Sequence, residues 1–295
     1  MGKGKPAARS LARSMSQASE KARGSHLTRE SRERTLSRFQ SVMENVGYNQ
    51  LKSVNDIAGR HIRAYIESRI EDGVSVRTMQ NEMAHIRSVV RDCIANAKEL
   101  SNENLGISGG SRIGTKTAVT ADELQTWASH ARDLGREGIA VALEVSRELG
   151  LRSQEIVRAD ADQLRAWVRE ASAGRVTILH GTKGGRVRDA TVINPVRTVA
   201  VLERAVTVAE AQGGYLITRA DGKPASNLKA ATAIYRSYND RQNIDAHRCR
   251  YAYAREAYQY HLAQGHSHRE ACSRVSVDLG HGDGRGRYIE SVYLR

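Results

Sequence analysis

The sequence predicts a mainly α-helical chain of two domains, with one small β-hairpin or sheet in the second (α+β). Three observations carry this. Apolar residues recur at three- and four-residue spacing over residues 26–105, the period of one helix face. A glycine- and serine-rich stretch at residues 102–116 then breaks the composition. Beyond it, two short β-branched runs flank a group of glycines, set among further helical segments.

Residues 1–25 come first. Up to about Gly24 they are rich in Gly, Ala, Ser, Lys and Arg, with Glu20 the only acid. Such a segment buries little apolar surface, so it is expected to be a basic disordered arm, either solvated or lying on phosphates. Residues 26–105 form the helical domain. Leu36, Phe39, Val42, Met43 and Val46 mark one helix face, and Gly47 is its stop. A second helix over residues 54–71 carries Ile57, Ile62, Tyr65, Ile66 and Ile70. A third follows Ser75, an N-cap residue, and runs through Met79, Met83, Ile86 and Val90 to Ile94.

Residues 106–116 are the expected linker and residues 117–295 the second domain. T-A-D-E at residues 120–123 is a capping box that opens a helix. The next helix, over residues 137–148, stops at Gly150. R-V-T-I-L (175–179) and R-D-A-T-V-I (188–193) read as a hairpin around Gly181, Gly184 and Gly185. Further helices are expected over residues 195–212, 226–241 and 246–263, with a short extended piece at 215–217. S-H-R-E at residues 267–270 is a second capping box, and its helix ends at Leu279-Gly280.

Composition narrows the function. A net charge of +13 in 295 residues points to a polyanionic partner, most simply double-stranded DNA. Cys93, Cys249 and Cys272 are too far apart and too few for a disulfide framework or a zinc pair, which fits a reducing compartment. No apolar run is long enough to span a bilayer, and the N-terminus lacks the apolar core of a secretory signal. The expected location is cytoplasmic, associated with the nucleoid. No phosphate-binding loop or dinucleotide fingerprint occurs. His261, His266 and His268 invite a metal, but no second ligand cluster accompanies them, so they are expected to be ordinary loop histidines; neither metal nor cofactor is expected.

What remains is a scattered set of cations and phenols: Arg152, Lys183, His247, Arg250, His281, and Tyr288 or Tyr293. Together these can cleave a phosphodiester. Guanidinium groups bind two phosphoryl oxygens at once and stabilise the charge that grows in the transition state. Lysine or histidine can protonate the leaving 5′ oxygen. Tyrosine can form a phosphoester that conserves the bond energy for rejoining. Each residue alone reads as ordinary surface, turn or cap chemistry; their order is what singles them out.

That order resembles the tyrosine recombinase family, the phage-type integrases. G-L-R-S-Q-E at residues 150–155 resembles the family's G-L-R-x-x-E, T-K-G at 182–184 its hairpin lysine, H-R-C-R-Y at 247–251 its H-x-L-R-H box, and L-G-H at 279–281 its last histidine motif. V-S-V-R-T-M-Q-N-E-M at 74–83 resembles part of the family's core-binding domain. The resemblance therefore implies a helical core-binding domain plus a tyrosine-recombinase-like catalytic domain, with Arg152, Lys183, His247, Arg250, His281 and Tyr293 as the catalytic set. Three departures accompany it. Cys249 and Tyr251 replace leucine and histidine, and the interval from Arg250 to His281 is long, with an inserted turn expected around residues 261–268. The position nine residues after His281, where the family has its tyrosine, holds Glu290. Tyr293 is preferred as nucleophile for its V-Y context, with Tyr288 as competitor. Five residues apart on one helix, the two are expected to point in clearly different directions.

The resemblance implies a site-specific recombinase or integrase of a mobile element. It would act through a covalent 3′-phosphotyrosine without metal or ATP, as a homotetramer clamped on two DNA sites, with accessory DNA-bending proteins as possible helpers. The alternatives are a type IB-like topoisomerase and a cleavage-deficient DNA-binding protein of the same fold.

Overall fold

A computed structural model describes residues 10–94, 97–110 and 116–295. They belong to two compact units, Met1–Ser111 and Arg112–Arg295.

The first unit is helical: α1 (Leu11–Lys21), α2 (His26–Asn45), α3 (Gly59–Glu71) and α4 (Val76–Val90). Ser25 and Ser75 begin α2 and α4 by accepting hydrogen bonds from the backbone N–H groups of Thr28 and Thr78. The apolar stripes meet in one core in which Phe39, Ile62, Tyr65 and Met83 are wholly buried.

The expectation of a disordered arm is corrected for its second half; residues 1–9 lie outside the described residues. Ser10 caps α1, and Leu11 and Met15, one helical turn apart, enter the same core. The buried Arg32 of α2 donates to the carbonyls of Ser19 (2.7 Å) and Arg23 (2.9 Å), at and just beyond the end of α1, where carbonyls lack helical partners. Average composition hid a narrow apolar stripe. The expected linker also begins too early. Ile107 is core, and its carbonyl accepts from the Gln80 side chain at 2.8 Å; residues 111–115 lie outside the described residues.

Glu82 holds this unit together. Its buried carboxylate accepts from Arg38 of α2 (2.6 Å) and from Tyr65 (2.9 Å) and Arg69 (3.1 Å) of α3. Burial first, then the Glu82 charge, pushes the Tyr65 phenol far above its ordinary range, so it stays a donor. Removing one member of a buried charged network leaves the others unpaired, at a cost of roughly 3–5 kcal/mol. Arg38 can swing into water and Arg69 keeps Asp72 at 2.7 Å, but the buried Tyr65 hydroxyl loses its acceptor and the Arg69 guanidinium half of its partners. Glu82→Ala is therefore expected to lower unfolding free energy by about 3 kcal/mol, read by urea denaturation.

The second unit is mainly α with one hairpin. Its elements are α5 (Ala121–Asp133), α6 (Glu137–Leu149), α7 (Ser153–Arg158), α8 (Ala161–Ala171), β1 (Arg175–Ile178) and β2 (Arg188–Thr191), followed by α9 (Pro195–Ala211), α10 (Leu228–Arg241), α11 (His247–Ala263), α12 (His268–Asp278) and α13 (Gly286–Val292). α6 is central. Ile139, Val141, Leu143, Val145 and Leu149 are buried on all its sides, and it packs on α5, α9 and α11. β1 and β2 are antiparallel, with Val176 opposite Ala190 and Ile178 opposite Arg188.

α7 and α8 were not foreseen. Asp160 caps α8 through the backbone N–H of Gln163, and Leu164, Trp167 and Ala171 form its buried stripe. Tyr215 does make one extended bridge, to Asp160. The loop reading of His261 is also corrected. It lies in α11, buried, with Nε2 3.3 Å from Asp278. His268 is the first residue of α12, and its Nδ1 is hydrogen-bonded with the Tyr258 hydroxyl at 2.7 Å. Tyr251, Tyr253, Val275, Leu279, Ile289, Val292 and Tyr293 form a separate apolar cluster that ties α11, α12 and α13 together.

Candidate active site

The site is built on two glycine turns. Gly150 ends α6 in the left-handed region at φ 58°, and a Cβ there would stand 2.5 Å from the Tyr253 ring. Only glycine lets this backbone come so close to α11. Gly280 follows α12 at φ 66°, and a Cβ there would meet Arg188 Cδ at 2.8 Å. Each turn offers carbonyls that the helix leaves without partners.

Those carbonyls gather three arginines. Arg152, the residue before α7, donates from its guanidinium to Glu155 (2.7 Å) and to the Leu279 carbonyl (2.8 Å). Arg250, wholly buried on α11, donates to the carbonyls of Gly150 and Leu279, while its Nε has no hydrogen-bond partner. Arg188 on β2 donates to Glu155 (2.7 Å), to the Gly150 carbonyl (3.2 Å) and to the Asp278 carbonyl. Burial, then Arg152 and Arg188, lower Arg250 to about 10, so it remains a cation at neutral pH. Burial alone would raise Glu155; the Arg188 hydrogen bond and charge outweigh it, with help from Arg250 and Arg152, and hold it at about 2. The pocket thus carries a fixed excess of positive charge.

Arg152, Thr182, Arg186, Arg188, Gly280 and His281 line a cleft of about 330 Å³ beside this cluster. His281 Nε2 lies 3.4 Å from the Tyr293 hydroxyl. Tyr293 is buried just past the end of α13, with its ring 4.5 Å from that of Tyr251. Tyr288 is half-buried, with its ring 5.2 Å from His281 and 6.1 Å from Tyr293. The expectation of divergent tyrosines is therefore corrected. Tyr293 stands at the helix cap rather than within the helix, so both rings reach His281.

His247 opens α11 and meets Tyr251 edge-on at 5.6 Å. Burial, then Arg250 and Lys116, push its pKa down to about 4, so the imidazole is neutral at pH 7. In the window from about 6.5 down to about 4 the unfolded chain binds a proton that the folded one refuses, so this group costs stability on acidification. NMR titration of the protein should find the His247 imidazole neutral at pH 5.5.

A model of the integrase family matches residues 106–256, and one of phage integrase N-terminal domains matches residues 8–98. The chain belongs to the tyrosine recombinase family of phage-type integrases. Among curated proteins none matches by sequence. In fold, this integrase is similar to a lambda integrase dimer bound to a COC′ core site, at a TM-score of 0.62 and 13% identity over 95% of this chain and 76% of that one. It is similar to the Tn1549 transposon integrase in complex with transposon right end DNA, at 0.57 and 13% identity over 94% of each chain. It is also similar to a lambda integrase tetramer bound to a Holliday junction, at 0.58 and 15% identity over all of this chain and 83% of that one.

The integrase fold thus brings Arg152, Arg250, His281 and Tyr293 together from segments far apart in sequence, with His247 one turn from Arg250 and on Tyr251. Lys183 contributes its backbone to a 3₁₀ turn between β1 and β2, next to the cleft residue Thr182; its side chain lies outside the described residues. Arg248, inside the same motif as Arg250, points elsewhere, onto Glu123 (2.8 Å) and the Thr117 and Ala118 carbonyls. Sequence reasoning missed Arg188. The signal was present: alternation along 188–192 places it on one face with Ala190 and Val192, both buried.

Proposed function

We propose that this integrase is a site-specific recombinase that cuts and rejoins duplex DNA through a 3′-phosphotyrosyl intermediate, without metal or ATP. The observation that supports it most is the convergence of Arg152 and Arg250 on the Leu279 carbonyl, next to the His281–Tyr293 pair. Two guanidinium groups held by backbone oxygens are preorganised donors for the non-bridging oxygens of a phosphate. In the proposed step the Tyr293 oxygen attacks phosphorus and the bond to the 5′ oxygen breaks. Lys183 supplies the proton to that oxygen, and a 5′ hydroxyl reverses the step. His281, within reach of the phenol, and the neutral His247 are placed to accept hydrogen bonds or protons around the phosphate.

The helical domain, residues 26–105, serves as the core-binding half of a clamp on DNA, and residues 117–295 as the catalytic half. A homotetramer on two sites, accessory DNA-bending partners and a place with the nucleoid belong to the same reading. No helix among the described residues is long and apolar enough to cross a membrane. The test is a nicked suicide DNA substrate incubated with the full chain in chelator. A denaturation-resistant protein–DNA adduct is expected. Absence of the adduct under conditions of full DNA binding would leave only a binding protein of this fold, and dependence on added divalent metal would remove the metal-free mechanism.

A further inference from the structure

Asp278 is a buried carboxylate that the proposed chemistry does not use. It is 3% exposed, on the last turn of α12 between Val275 and Leu279, both wholly buried. One carboxylate oxygen accepts from the Thr191 hydroxyl of β2 at 2.9 Å, and the other faces His261 Nε2 of α11 at 3.3 Å. Its own carbonyl accepts from Arg188, and the next carbonyl, Leu279, accepts from Arg152 and Arg250. The Thr191 carbonyl in turn accepts from Tyr253 of α11 at 2.9 Å.

Burying a carboxylate costs stability unless it is well paired, and an apolar side chain of similar size often serves a core as well or better. Here the partners are one hydroxyl and one imidazole, while the neighbours on the helix are apolar. Stability therefore does not account for this residue; its position does. The two carbonyls that hold all three arginines leave the end of α12 just before a glycine turn. A lone helix end with glycine after it has freedom to shift. The Asp278 carboxylate ties that end to β2, a strand of the hairpin that carries Lys183, and to α11, which carries His247 and Arg250.

We propose that Asp278 is a positioning residue for strand cutting: through Thr191 and His261 it fixes the end of α12, and with it the arginines that receive the phosphate. The inference rests on the strand-cutting reading above. A displacement of about 1 Å in such a group can cost on the order of 100-fold in rate.

The experiment compares single-turnover adduct formation on nicked suicide DNA, at saturating protein, with DNA affinity and thermal melting of the same variants. The double variant Asp278→Leu/Thr191→Val replaces the polar tie with apolar volume. It is expected to melt at or above the wild-type temperature and bind DNA normally, yet form adduct at least ~20-fold more slowly, part of the loss that misplacement can bring. Asp278→Asn keeps an oxygen for Thr191 and an amide toward His261, and is expected to remain within about fivefold of wild type, since the geometry survives. A double variant that cuts at the wild-type rate overturns the positioning role, and so does an Asn variant that folds but is as slow as the double one. Should the double variant fail to fold, the Asn variant and Asp278→Ala, expected to be slower than Asn at equal DNA occupancy, decide the matter. Wild-type protein that forms no adduct at all would instead bring down the strand-cutting reading.

Discussion

Tyr293→Phe is expected to bind DNA as the wild type does and to form no phosphotyrosyl adduct. The substitution removes a single oxygen from a ring that is buried against Tyr251 at 4.5 Å, so packing is retained. What is lost is the hydroxyl 3.4 Å from His281. An unperturbed phenol titrates near pH ~10, so it needs neighbouring cations or a proton acceptor to attack at neutral pH. Tyr293 has an acceptor within reach, the imidazole of His281. Tyr288→Phe is the matched control. Its ring also leans on His281, at 5.2 Å, but it is half-exposed, whereas Tyr293 is buried. It is expected to retain adduct formation within a few-fold. Adduct from the Tyr293 variant and none from the Tyr288 variant would transfer the nucleophile to Tyr288. Gel mobility of the denatured complex, with peptide mapping of the linked tyrosine, reads the outcome.

Much of this site was legible because the residues that compose it carry local signatures. Gly150 marks a helix stop, Gly280 a second one, and each brings orphan carbonyls that attract arginine. The capping boxes at Thr120 and Ser267 and the serine cap at Ser75 set helix starts that the structure keeps. What escaped were long-range pairings. Arg188 reaches Glu155 33 positions away and the Asp278 carbonyl 90 positions away; the alternation along its strand marks its face as buried but names neither partner. α1 escaped for a different reason: its core contribution is one narrow stripe inside a strongly polar segment, which averaging over composition erases. The relation of Tyr288 to Tyr293 depended on where α13 stops, and helix ends are the least legible feature of a sequence.

Arg152 and Arg250 should respond differently to removal, because they are held differently. Arg152→Ala is expected to lower adduct formation at least ~100-fold, the scale of losing one preorganised transition-state donor. Its melting temperature should hardly change. The Arg152 side chain is 21% exposed, and its partner Glu155 still has Arg188 at 2.7 Å, so no buried charge is orphaned. Arg250→Ala should lose as much activity but also stability. Arg250 is wholly buried, and its removal opens a cavity and strips a donor from the Gly150 and Leu279 carbonyls. The loss is expected to be about 3 kcal/mol, within the range for emptying a large buried site. Arg250→Lys separates charge from shape. It keeps a cation in the pocket, but one ammonium cannot span both carbonyls and still offer a second donor to phosphate, so binding should survive better than cutting. Single-turnover adduct formation at saturating protein, read beside calorimetric melting, checks all three. An Arg152→Ala variant that melts normally and cuts normally would remove Arg152 from the phosphate and leave it a mere clasp between Glu155 and the end of α12.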